Sequence, residues 1–127
     1  MSQTQINQTQ INTPASEGAG FLAEYEKEAL NVLEKTKCMD LADDVKFVFR
    51  ILRDAVKHAE RKNKESILLL LNIQSKINQI EELVEERTRI ETEEYIKYET
   101  EDYTEFMITL ETALWRTAEK VHEKLTQ

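Results

Sequence analysis

The chain has 127 residues, 25 acids against 17 lysines and arginines for a formal net charge of -8, and only two glycines, one proline and one cysteine. That is one domain's worth of chain, long enough to bury a core without metal, and the single Cys38 excludes an intrachain disulfide. Both glycines and the proline fall within the first 20 residues, so the turn chemistry of a β-rich fold is missing from Phe21 onward.

The abundance of Glu, Lys, Leu and Ala points instead to an all-α fold, an antiparallel helical bundle of about four helices. The segment before it is different. QTQIN stands at 3–7 and again at 8–12, and Glu17 is the one charged side chain before Glu24. A tract this polar buries too little apolar surface to offset its ordering entropy, so residues 1–19 are expected to be a disordered tail, and 20–127 the bundle. Its Thr, Gln and Ile alternation also suits a strand added to a partner's sheet.

The first helix is expected near 20–37, with Thr13-Pro14 as a plausible cap and start. Leu22, Tyr25, Ala29, Val32 and Leu33 repeat along it at helical spacing. The second is expected near 40–62. Asp40 would be its N-cap, and Leu41, Val45, Val48, Leu52, Val56 and Ala59 its seam. Asn63, which tolerates the left-handed conformation, would end it. The third, near 64–98, opens with SILLLLNI. Successive leucines wrap the whole circumference, so this turn either sits at the bundle centre or offers a face to another subunit. Ile67, Leu68 and Leu71, with Trp115, are the candidate subunit interface. The seam runs on through Ile73, Ile77, Ile80 and Val84, and the length of this helix suggests that part of it protrudes. Thr100-Glu101-Asp102 can cap a fourth helix near 101–126, whose heptad is Tyr103, Met107, Leu110, Leu114, Thr117, Val121 and Leu125.

Charge is unevenly placed. Residues 81–105 hold eleven acids and three bases, and the rest of the chain is neutral. Glu85, Glu86, Glu93, Glu94 and Glu101 are the candidate acidic face, with Glu85–Arg89 and Glu93–Lys97 spaced to pair along the helix. Against this stands a basic row, Lys46, Arg50, Arg53, Lys57, Arg61 and Lys64, stepping by threes and fours. At about 100° per residue it spans an arc of roughly 80°, nearly opposite the apolar seam. Such a row suits phosphates, contacted without reading sequence, or carboxylates, of which 81–105 of the same or a neighbouring chain is the nearest supply. Phe47 and Phe49 lie in the stretch, but Phe49 is close to the seam, so aromatic interleaving for base stacking is thin.

Site chemistry is sparse. Glu119-x-x-His122 is half of a di-iron carboxylate pattern, and His58 has no Glu three residues before it to make the other half. There is no Gly-rich phosphate loop, no HExxH and no Cys pair. No cofactor, metal, membrane or small-molecule substrate is expected, and no enzymatic activity. A lone Cys, no apolar leader after a basic start and no apolar run of membrane length suggest a cytoplasmic setting. Small helical subunits of nucleoprotein complexes are similar in size and basic helix face, a likeness that carries no motif. The expected function is a non-enzymatic interaction subunit that self-associates or docks into a larger assembly. A nucleic-acid-binding subunit using the basic row is the alternative, and an acidic nucleic-acid mimic a weaker one.

Overall fold

The computed structural model describes residues 18–91, 97, 98 and 100–127, with residues 91, 97 and 98 described by their backbone alone. The QTQIN repeat and Thr13-Pro14 lie outside the described residues. Helix α1 spans Leu22–Lys35, α2 Ala42–Glu60, α3 Glu65–Thr88 and α4 Glu101–Thr126. A 3-10 turn, Met39–Leu41, precedes α2, and strands β1 (Ile90–Glu91) and β2 (Lys97–Tyr98) pair antiparallel between α3 and α4. Gly18 and Ala19, assigned to the tail by composition, are helical, and Ala19 belongs to the core. Gly18 lies so close to α2 that an added Cβ would meet Val56 at 3.4 Å and press on the Glu60 carboxylate.

Short connections and cross-helix contacts fix an up-down-up-down bundle. Arg53 on α2 meets Glu26 on α1 at 2.6 Å, and Arg87 near the end of α3 meets Asp40 before α2 at 2.8 Å. Lys35 at the end of α1 reaches Asp102 and Glu105 in the first turns of α4 at 3.5 and 3.2 Å. Arg116 closes the other end of that seam, lying over the Phe21 ring and donating to the Tyr25 hydroxyl. The helices α2 and α4 also touch across the diagonal, whereas α1 and α3 barely meet.

The core is the set of apolar seams turned inward. Leu22, Ala29, Val32 and Leu33 of α1 and Val45, Val48, Phe49, Leu52 and Val56 of α2 are fully buried. Ile73, Ile77, Ile80 and Val84 of α3 face them. On α4 the seam is Tyr103, Phe106, Leu110, Ala113 and Thr117; Met107 and Leu114, expected at its centre, flank it. Buried Thr109 and Thr117 return their hydroxyl hydrogen bonds to the carbonyls of Glu105 and Ala113 four residues back, so neither leaves a polar group unpaired.

Three helix boundaries differ from expectation. The third helix ends at Thr88, ten residues short of 98, because its seam ends at Val84 and the chain then enters β-branched and aromatic residues that favour extended backbone. No long helix protrudes: α3 has 24 residues and α4 has 26. Asp40 does not cap α2; its carboxylate is taken by Arg87, which holds it below the usual carboxylate range. The left-handed residue after α2 is Lys62, with φ 61°, not Asn63. The N–H groups of Lys62 and Asn63 donate to the carbonyls of Ala59 and His58, a Schellman end. Asn63 instead starts α3, its side-chain oxygen accepting from the Glu65 N–H at 2.9 Å. Thr100 caps α4 as its sequence suggests, accepting from the Tyr103 N–H at 3.1 Å.

Candidate interaction surfaces

The leucine-rich turn does not sit at the bundle centre. Only Leu69 and Leu70 lean against the core, from half-buried positions. Ile67, Leu68 and Leu71 are 45%, 51% and 62% exposed, and Trp115 is 61% exposed. Cost explains why this is informative: large side chains scattered singly are ordinary, but a run of three in two turns is a patch. Ile108, also exposed, lies seven residues before Trp115 on the same face of α4. Sequence reading missed it, since it lies outside the heptad; its position two turns from Trp115 was the available signal.

On α3 the exposed residues continue the patch as a graded stripe. Leu68, Leu71, Ser75, Asn78 and Glu82 follow one another by threes and fours, and all are exposed. Lys64 stands at the N-terminal end and Glu86 at the C-terminal end. One side of one helix thus runs from cation through apolar and small polar groups to acid.

The basic row is real but shorter than a single helix face. Lys46, Arg50, Arg53 and Lys57 lie on α2; Arg61 is the residue that caps its C-terminus, and Lys64 lies beyond the turn, at the start of α3. Arg53 is drawn toward α1 by Glu26, and Arg50 lies over the Phe47 ring at 5.1 Å. Lys46, Lys57, Arg61 and Lys64 are exposed, and among the described residues none of them is in an ion pair. The row does not meet segment 81–105 of its own chain among the described residues. Phe49 is core, which leaves Phe47, exposed beneath Arg50, as the aromatic of this stretch beside the row.

Among the described residues of the acidic segment, Glu81, Glu85, Asp102 and Glu105 are engaged within the fold. Glu85 pairs with Arg89 at 2.6 Å, as its spacing suggests. Asp102 and Glu105 hold Lys35, whose pKa the Glu105 carboxylate raises. Glu28 on α1 faces Glu105, and the hydrogen bond between them raises the Glu28 carboxyl above its ordinary value and lowers that of Glu105. Glu82, Glu86 and Glu101 remain exposed, while Glu93 and Glu94, and with them the Glu93–Lys97 pair, lie outside the described residues.

Glu81 departs most from an outer acidic face. It is 7% exposed, facing Glu111 across the α3–α4 seam. Burial, then the hydrogen bond and the charge of Glu111, push its carboxyl up to about 9, so it stands protonated at neutral pH. No cation contributes, and its Oε2 has no hydrogen-bond partner. The signal was present in sequence: Glu81 follows Ile77 by four residues, on the edge of the buried seam.

No group of three or more His, Cys, Asp and Glu able to hold a metal occurs among the described residues, and Glu119 and His122 are both exposed. Cys38 is buried at the end of α1, its thiol directed to the Thr36 carbonyl. No described helix is long and apolar enough to cross a membrane. Comparison with protein-family models, with curated proteins and with solved structures matches none of them.

Proposed function

We propose that the chain is a non-enzymatic interaction subunit whose α3/α4 face binds protein, either another copy or a component of a larger assembly. One observation carries the reading: Ile67, Leu68, Leu71 and Trp115 are large apolar side chains left in water on α3 and α4. Covering them stabilises a complex at about 25 cal/mol per Å² of apolar surface removed from water, before the costs of association. The charges at either end of the stripe steer and orient a partner more than they add affinity. Sedimentation velocity at low and high salt, with pull-downs on the full chain, tests this. The expected result is a complex that Leu71→Glu abolishes while the bundle stays folded. A monomer at every salt that also captures no partner would refute it.

A second reading is favoured by the basic row. Lys46, Lys57, Arg61 and Lys64 are exposed cations without ion-pair partners among the described residues, as phosphate contact requires. Lys46→Glu with Lys57→Glu would then abolish a gel shift seen with DNA or RNA at about 50 mM salt, where phosphate contacts are strong. If the wild type gives no shift under those conditions, the row is a solvated face. The mimic reading has less behind it, because Glu81, Glu85, Asp102 and Glu105 already have partners in the fold.

A further inference from the structure

We propose that the α3/α4 face receives a basic amphipathic helix of another protein, laid lengthwise along the two helices with its apolar side on Leu71 and Trp115 and its cations over the carboxylates beside them. This rests on the protein-binding reading above and names the class of partner. Glu81 and Glu111 face each other across the seam, which sets the register of the antiparallel α3 and α4. Ile67 and Leu71 share the Glu81 side of α3, and Ile108 and Trp115 the Glu111 side of α4, by steps of three and four. Counted from the glutamate pair, Trp115 is level with Ile77 and Ile108 with Val84. Leu71, Trp115 and Ile108 therefore stand about 6, 15 and 25 Å along the axis from Ile67, or about one, three and five turns of a helix lying alongside. All four are exposed. One apolar side of a helix of about 17 residues meets every one of them, as in helix-in-groove recognition.

Charge selects the kind of helix. Glu82, Glu86 and Glu119 are exposed and Glu111 is half-buried, and among the described residues none of the four is in an ion pair. Nearby cations are engaged elsewhere: Arg89 holds Glu85, and Arg116 is turned to Phe21 and Tyr25. Lys64, at the far end beyond Leu68, is the exception. The Glu81 Oε2 has no hydrogen-bond partner and no cation contributes to its surroundings. A lysine or arginine over Glu111 would favour the ionised form of a pair that no cation of this chain serves. A folded second copy does not supply the match. Its α2 carries the basic row, but Phe47 is the one large apolar group exposed on that helix.

Trp115 is the sole tryptophan, so its emission reports whether this face is covered. The test titrates the full chain at about 50 mM salt, where exposed charges are little screened, with tryptophan-free synthetic peptides of about 18 residues. One is an amphipathic Leu/Lys helix, the other a Leu/Glu helix with the same apolar pattern. The Leu/Lys peptide is expected to shift Trp115 emission to the blue and to bind about tenfold more tightly than the Leu/Glu peptide, a preference that fades at high salt. Glu82→Lys with Glu119→Lys should erase the preference. Leu71→Asn, which leaves the charge alone, should weaken Leu/Lys binding about tenfold. Circular dichroism melts check that these exposed substitutions leave the fold unchanged. Equal binding of the two peptides would overturn the charge match and leave the protein-binding face standing. Leu/Lys binding that Leu71→Asn does not weaken, or that leaves Trp115 emission unmoved, is diffuse charge attraction and overturns the site. Self-association of the chain alone that covers Trp115 would make a second copy the occupant instead. If neither peptide binds, the proposal falls, and the pull-downs described above decide the broader reading.

Discussion

At the scale of single residues, Glu81 is the group whose behaviour the fold changes most. Its neutral carboxyl sits between α3 and α4, facing Glu111, with one oxygen unpartnered. An unfolded chain releases this proton near 4.5, while the folded chain keeps it to about 9. Between those values the folded state binds more protons than the unfolded, so stability falls as pH rises through the window and flattens beyond it. Glu81→Gln retains the volume and a hydrogen-bond donor for Glu111 but cannot ionise. It should melt higher than the wild type at pH 8 by about 1–3 kcal/mol of stability, and converge with it at pH 4. Thermal melts across pH decide the matter; equal pH slopes for the two proteins would show that Glu81 is not the titrating group. Lys37 is a second residue with a local cost. It ends α1 with φ 60°, and the Cys38 N–H donates to the Leu33 carbonyl at 2.8 Å beyond it. A left-handed conformation costs a residue with a Cβ about 1–2 kcal/mol, and part of that is returned when glycine's extra unfolded freedom is counted. Lys37→Gly should raise the urea midpoint by the equivalent of about 0.5–1 kcal/mol. A lower midpoint would show that the lysine side chain contributes more than its backbone costs.

At the scale of elements, what could be read in advance followed from periodicity. Val45, Val48, Leu52 and Val56, and Ile73, Ile77, Ile80 and Val84, are seams by threes and fours, and all are buried. Burial follows spacing there because the apolar stripe of a helix has one place to go. Ends were harder, for identifiable reasons. Asp40 has the side chain of an N-cap, but Arg87 from 47 residues away claims it, and no local rule contains that contact. Lys62 holds the left-handed position although Asn63 suits it better, since Asn63 is needed to start α3. The α3 terminus was misplaced because no Gly or Pro marks it, and the strand preference of Ile90 and Tyr98 is a weaker signal than helical charge spacing. The site was legible in part. Exposure of Ile67, Leu68 and Leu71 follows from apolar residues on every side of a helix that has only one side to bury. The placement of Glu81 was half legible: its spacing from Ile77 sets it at the seam's edge, but a carboxyl there reads as solvated until its neighbour Glu111 is known.

At the scale of the whole molecule, the proposed function has folding and association draw on different apolar residues, and this separation can be measured. Phe106 is fully buried in the core, and Trp115, nine residues along the same helix, is mostly in water. Removing a buried phenyl ring leaves a cavity that the four helices cannot fully close, so Phe106→Ala should cost about 3–5 kcal/mol of stability. Trp115 gives up little on unfolding because it is already exposed, and Trp115→Ala should change stability by no more than about 0.5 kcal/mol. Under the proposed function its effect belongs to the complex, where an aromatic anchor covered from water carries more of the affinity than its neighbours do. Urea unfolding and sedimentation of the same two variants therefore ought to give opposite rankings. Phe106→Ala, assayed where it remains folded, should still associate, while Trp115→Ala should be as stable as the wild type and fail to associate. A Trp115→Ala protein that is markedly destabilised would mean the indole packs into the bundle, and the α3/α4 face would lose its anchor.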